Sequence, residues 1–289
     1  MHVTIAEVDR AGCSDERLTG DLSAEDALTV LVGAAATKDV DLNRLDIEQG
    51  NEIFQRLIVM RHPSMLAELG SLAFDTLIML AASLRTIALA TKGFMPPDEG
   101  DALYDAALAA AAAVPGLPMA EIGSYCGRST VWLGAAAQKC GVALYAVDHH
   151  GGSEENQQGW EWHDKEVVNS AGRIDTLPFF RDTMRRAGLM GVVHECVGDS
   201  HVIGQGWTQP LALVFIDGGH GRDIARGDYQ AWSPHIALHG MLVVHEVFEH
   251  AADGGQALYE EIYLAALASG KFDELSRHGS LRVLRRIAT

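Results

Sequence analysis

No two of the four cysteines stand in a Cys-x-x-Cys pair or at metal-binding spacing. Cys13, Cys126, Cys140 and Cys196 lie far apart, and three of them sit in or beside apolar runs. The expectation is reduced, buried thiols in a cytoplasmic protein. Basic residues are scarce too: 22 against 39 acidic ones, a formal net charge of −17. A surface that acidic repels phosphate backbones, so nucleic acid is not an expected partner, and a small neutral or cationic ligand suits the charge better. A long unbroken hydrophobic run is also missing. The most apolar stretch, Leu66 to Ala90, is interrupted by Glu68, Asp75 and Arg85, which argues for buried helices rather than a membrane span. The first 18 residues carry acids and no apolar h-region, so no secretory signal is read there.

What is present suffices for a sizeable core. Of 289 residues, 48% are apolar and 21% charged, the balance of an ordinary globular chain with room for one large domain and an appendage. Residues 1 to about 20 read as an unpatterned arm. From Ser23 the pattern is helical, with further helical runs at about 47–61 and 65–91, the break between them set by Pro63. "KGFMPPDEG" (Lys92 to Gly100) reads as a linker whose acids open another helix. We therefore divide the chain into a helical N-terminal region, 1–95, and a second domain, 96–289.

After Pro115 the rhythm changes. Short apolar runs at Met119–Ile122, Val142–Val147, Val192–Val197, Leu211–Ile216 and Met241–His245 alternate with helical patterns at about 129–139, 176–187, 224–236 and 256–269. That alternation predicts an α/β fold, a Rossmann-like, mostly parallel sheet with helices on both faces. Two strand-like runs around His278-Gly279 predict a hairpin that adds an antiparallel strand.

Two stretches carry chemistry. "EIGSYCGRST" (Glu121 to Thr130) follows a strand and opens a helix, where Gly123 and Gly127 allow close approach to the backbone. The middle glycine of a Gly-x-Gly-x-x-Gly pyrophosphate loop is missing, and Glu121 suits a cationic group instead. Asp148 ends the next strand, where an acid holds ribose hydroxyls. Together they suggest a nucleoside with a positively charged tail; glycines kept only for packing are the plainer reading. In "FIDGGH", Asp217 ends the fourth strand and His220 follows three residues later, while His245 and Glu246 end the fifth. Neighbouring strand ends bring these side chains together. Such a set suits a hard divalent ion, Mg²⁺ or Mn²⁺, which lowers the pKa of a substrate hydroxyl while His220 removes its proton. The structural alternative is Asp217 as a helix cap and His220 as packing. Between the second and third strands, "DHHGGSEENQQGWEWHD" offers His149 and His150 to the nucleoside and Trp160 and Trp162 as a lid over a sugar or aromatic acceptor. A local, exposed acidic loop is equally open. Trp132 and Trp232 read as core.

"EIGSYCGRST", "AVDHH", "VGDS", "FIDGGH" and "VVHEVF", in this order, resemble the strand-end motifs of class I S-adenosylmethionine-dependent methyltransferases over about residues 98–286. The resemblance implies a seven-stranded sheet with one antiparallel strand. It also implies that Glu121, Gly123, Ser124, Gly127 and Ser129 contact the methionine end of the cofactor, Asp148 and His149 the ribose side, and Gly198, Asp199 and Ser200 the adenine, with Asp217 beside them. Within that class the motifs are similar to those of metal-dependent sugar and natural-product O-methyltransferases. There, the strand-four acid and the pair after strand five are metal ligands and the histidine is the proposed base. By that likeness Asp217, His245 and Glu246 would hold the metal, although the pair is usually two acids or an acid and an amide. The acceptor would be a hydroxyl of a small molecule, with the N-terminal helices as cap or as the interface of a homo-oligomer. A nicotinamide-dependent oxidoreductase is the competing enzyme class, disfavoured by the missing glycine and the absence of Tyr-x-x-x-Lys. A non-catalytic nucleotide-fold binding protein is the third reading.

Overall fold

The computed structural model describes residues 2–5, 18–21, 84–160, 163–219 and 221–288. The chain divides into two compact units, Met1–Glu68 and Leu69–Thr289. In the first, strands β1 (His2–Ile5) and β2 (Leu18–Asp21) pair antiparallel, with His2 opposite Asp21. The sequence there reads as an unpatterned arm. Four residues are too few for alternation to register, yet Val3, Thr4 and Ile5 are β-branched and favour extended backbone. The helical runs expected from Ser23 to residue 83 lie outside the described residues, whereas 84–90 are helical.

The second unit is built on a seven-stranded sheet: β3 (Met119–Ile122), β4 (Leu144–Asp148), β5 (Val193–Val197), β6 (Leu211–Ile216), β7 (Ile236–Val244), β8 (Phe272–His278) and β9 (Leu281–Arg286). The strand order is β5-β4-β3-β6-β7-β9-β8. Parallel pairing runs from β5 through β7, and β9 alone is reversed, lying antiparallel to both β7 and β8. This is the expected Rossmann-like sheet with one antiparallel strand. Around it lie α1 (Pro97–Ala113), α2 (Arg128–Cys140), α3 (Leu177–Arg186), α4 (Ser200–Gly206) and α5 (Arg222–Trp232), and a π-helical turn (Tyr259–Leu264) that runs into α6 (Ala265–Ala268).

Period-two alternation along the strands sorts the core into two layers. On β6, Leu213 and Phe215 pack with Leu103, Ala107, Trp132, Leu133 and Phe180 from α1, α2 and α3. Val214 and Ile216 face the other way, onto Ala225 and Trp232 of α5 and Ile262 beyond β7. Because both faces are covered, β6 is buried at all six positions, which is why it reads as one unbroken apolar run. Helix α1 starts with Pro97 in its first turn, where proline's missing N–H costs nothing. Ala88 and Met95, ahead of that proline, are buried in the same layer. Trp132 and Trp232 are core residues, as expected. No helix among the described residues is long and apolar enough to cross a membrane.

Candidate active site at the carboxyl edge of the sheet

The registers of the parallel strands put Val147, Ile122, Ile216 and Val244 in one row. The residue after each therefore emerges at the same edge. The slanted ladder continues one step into the loops: Gly123 N–H donates to Val147 O at 2.9 Å, Asp217 N–H to Ile122 O at 2.9 Å and His245 N–H to Ile216 O at 3.1 Å. On the far side Gly198 N–H donates to Asp148 O at 3.1 Å. Four candidate positions that lie up to 122 residues apart, Gly123, Asp148, Asp217 and His245, thus share one rim through backbone geometry alone.

The loop after β3 is organised by Glu121, whose side chain is completely buried. Ser129 Oγ donates to its Oε1 at 2.7 Å, while Ser124 Oγ at 2.8 Å and Thr130 Oγ1 at 2.5 Å donate to Oε2. Burial outweighs these donors and, with the charge of Asp217 nearby, pushes the carboxyl up to about 7. The glycines answer to the chain itself. Gly123 has φ +87°, and a Cβ there would lie 2.3 Å from the carbonyl oxygen of Asp217; Gly127, at φ +91°, faces Met184 and Phe180 of α3.

Asp148 takes a place the sequence does not reveal. The consecutive N–H groups of Ser124 and Tyr125 both donate to its Oδ2 at 2.8 Å, and His150 N–H donates to Oδ1 at 2.6 Å. Tyr125 is held at φ 48°, in the left-handed region, so the two loop amides converge as an anion-binding concavity. In a dinucleotide fold such amides hold a pyrophosphate. Here a carboxylate of the protein already fills them. Beyond β5, Asp199 caps α4 by accepting Val202 N–H at 3.0 Å, and Ser200 Oγ donates to the buried Asp228. Gly198 therefore sits beside Asp148 through the backbone, and Asp228 is a partner that sequence reading missed.

At the other end of the rim, His245 is 2% exposed. Its Nδ1 lies 2.9 Å from Asp217 Oδ1, and its Nε2 lies 2.9 Å from Glu99 Oε2, an ion-pair contact off the line of a hydrogen bond. Burial alone would lower the histidine's pKa. The charge and hydrogen bond of Asp217, the Glu99 contact and the charge of Glu246 prevail and raise it to about 10. Glu99 also accepts Ser280 N–H at 2.8 Å and Ser280 Oγ at 2.9 Å; although burial pushes its carboxyl up, His245 and Ser280 together leave it below the usual range. The expected metal set of Asp217, His245 and Glu246 does not fit this arrangement. With a carboxylate at each ring nitrogen, His245 has no lone pair to give a cation. Among the described residues no group of three or more histidine, cysteine or acidic side chains is arranged to hold a metal ion.

The loop from His149 to Thr176 is not featureless. His150 is buried, with Nδ1 2.8 Å from Thr176 Oγ1, and Lys92 ties the loop to the segment before α1 through Asp164 at 2.7 Å and through Glu166. His149 is exposed and its Nδ1 accepts Gly151 N–H at 3.0 Å. Trp160 is 52% exposed. Trp162 and His220 lie outside the described residues. Glu99 is the other partner that sequence reading missed: it stands 146 residues from His245, inside an acidic run that reads only as a helix start.

The buried Glu121 carries a pH prediction. Its folded pKa of about 7 lies above the ordinary 4.5, so the fold favours the protonated form. That contribution is complete below about 4.5 and is lost as pH rises through 7, a swing on the order of 3 kcal/mol. Urea unfolding at pH 4.5 and pH 8 should therefore show Glu121→Gln gaining on the wild type as pH rises. A constant difference between the two proteins would contradict the assignment.

Residues 120–247 match a family model described as a methyltransferase domain. Among solved structures, the O-methyltransferase NovP superposes with a TM-score of 0.53 at 10% identity, covering 68% of this chain and 84% of its own. An O-methyltransferase from Bacillus cereus in complex with SAH gives a TM-score of 0.49 at 16% identity, covering 72% and 90%. TomG from Streptomyces achromogenes, an O-methyltransferase of tomaymycin synthesis in complex with SAM, gives 0.47 at 16% identity, covering 68% and 82%. The matched segment holds β4 through β7, all of β3 but Met119, and Gly123, Asp148, Asp217 and His245 of the rim. Residues 120–247 are thus similar to a methyltransferase domain, on a Rossmann-like fold shared with NovP.

Proposed function

We propose that the chain transfers the methyl group of S-adenosylmethionine to a hydroxyl oxygen of a small molecule, a sugar or another natural product. The observation that carries this reading is the occupied amide concavity. With Asp148 seated on the Ser124 and Tyr125 amides, the loop cannot cradle a pyrophosphate, whereas the oxygens of Asp148 remain at the rim to accept ribose hydroxyls. A cofactor without phosphate and with a cationic sulfonium and ammonium suits an edge that presents the carboxylates of Asp148 and Asp217. That NovP, with the same fold, is an O-methyltransferase supports oxygen as the acceptor atom.

In this reading Glu121, Ser124 and Ser129 shape the pocket for the methionine end, His149 flanks the ribose, and Gly198, Asp199 and Ser200 flank the adenine. Trp160 and Trp162 cover the acceptor. His220, three residues beyond Asp217, takes the hydroxyl proton as the oxygen attacks. S-adenosylmethionine held at this edge would supply the methyl group to that oxygen and would be released as S-adenosylhomocysteine. No step runs through a metal ion.

Transfer of labelled methyl to a panel of sugar, phenol and polyketide hydroxyls tests the assignment. His220→Ala should lower kcat by about 10²–10⁴-fold while leaving S-adenosylhomocysteine affinity unchanged. Full retained turnover would remove His220 as the base, and exclusive labelling of nitrogen would overturn O-methylation.

A further inference from the structure

We propose that His245 is the resident cation of this site: it occupies the charge-neutralising place that a divalent ion would take among Glu99, Asp217 and Glu246, and it positions Asp217 at the rim.

A neutral imidazole donates from one nitrogen and presents a lone pair at the other. Here both nitrogens stand 2.9 Å from carboxylate oxygens, Asp217 on one side and Glu99 on the other. Nδ1 is hydrogen-bonded to Asp217. Although the Nε2–Glu99 contact lies off the line of a hydrogen bond, a charged ring is attracted to the carboxylate on each side whereas a neutral one is not. Three chain elements converge on the ring: β6 through Asp217, β7 through His245, and α1 through Glu99, whose carboxylate is in turn fastened to Ser280 in the turn between β8 and β9. Gly279 in that turn has no room for a side chain, since a Cβ would meet Glu99 Oε1 at 2.1 Å. Two carboxylates on either side of one buried ring, Glu99 itself buried, are balanced by a cation between them, and removing it would leave uncompensated charge. Asp217, 21% exposed, is the member of the group that solvent can still reach. The ring thus fixes one oxygen of Asp217 and presents the rest of the carboxylate to the site.

The charge balance gives a gain-of-function test that does not pass through methyl transfer, so this inference and the proposed reaction can fail separately. Mn²⁺ is titrated into the full chain and followed by electron paramagnetic resonance. The wild type should show no stoichiometric Mn²⁺ site. His245→Asp should acquire one site per chain, because Glu99, Asp217 and Glu246 then surround a carboxylate in place of the ring. His245→Asn poses the same question without added charge should the first variant fail to fold. A wild-type Mn²⁺ site that disappears on Asp217→Asn would overturn the proposal. So would folded His245 variants that bind no more Mn²⁺ than the wild type.

Discussion

Gly123→Ala is expected to destabilise the protein by about 2–6 kcal/mol and to abolish donor binding in whatever fraction remains folded. Two costs add. An alanine at φ +87° sits in backbone space that only glycine occupies readily, worth roughly 1–3 kcal/mol. Its Cβ would also be 2.3 Å from the Asp217 carbonyl oxygen and 2.9 Å from Gly218 Cα, and backbone cannot swing aside as a side-chain tip can. Overpacking of that kind costs about 1–3 kcal/mol more. The control is Gly141→Ala at the end of α2. That glycine has φ +67° but nothing within 4 Å of a built Cβ, so only conformational strain of about 1–2 kcal/mol applies. Urea unfolding of the two variants separates strain from collision. Equal losses would mean that the loop after β3 does not press against the end of β6.

Asp148→Ala should separate binding from stability in the opposite direction. The variant removes the acceptor of three backbone N–H groups, but Asp148 is only half-buried, so water can replace it and the melting temperature should fall modestly. S-adenosylhomocysteine affinity should fall much further. Two ribose hydroxyls donating to a carboxylate contribute about 1.5–3 kcal/mol each, so a loss of at least about 100-fold is expected. The loop amides, no longer held, would add to that loss. A variant with a large fall in melting temperature and unchanged affinity would make Asp148 a structural residue only.

The sheet was legible where the strands are short, apolar and bounded by polar or glycine residues. Met119–Ile122 and Leu211–Ile216 are found at their expected bounds, because central strands covered on both faces leave no polar interruption. The strand β7 begins at Ile236, five residues before the apolar run at Met241, since its first half carries His239 and Gly240 and joins β6 through a register shift. The segment 256–269 reads as one ordinary helix, and its π-helical turn has no signature in hydrophobic period. At the site, local motifs mark positions but not their partners. Glu121 is recognisable as the acid before a glycine loop; that it gathers three hydroxyls depends on how the loop folds back. His245 reads as a metal ligand because neighbouring strand ends bring it beside Asp217 and its motif resembles a ligand pair. Its engagement by Glu99 depends on α1 crossing the sheet beside β7, a contact between distant segments that spacing cannot express.

The central claim is that this edge binds a nucleoside cofactor without phosphates, held by Asp148. Isothermal titration of the wild type and of Asp148→Ala with S-adenosylhomocysteine, and of both with NADH, tests it most directly. The account predicts one S-adenosylhomocysteine per wild-type chain, at least about 100-fold weaker binding to Asp148→Ala, and no NADH binding to the wild type. Saturable NADH binding to the wild type, without S-adenosylhomocysteine binding, would contradict it.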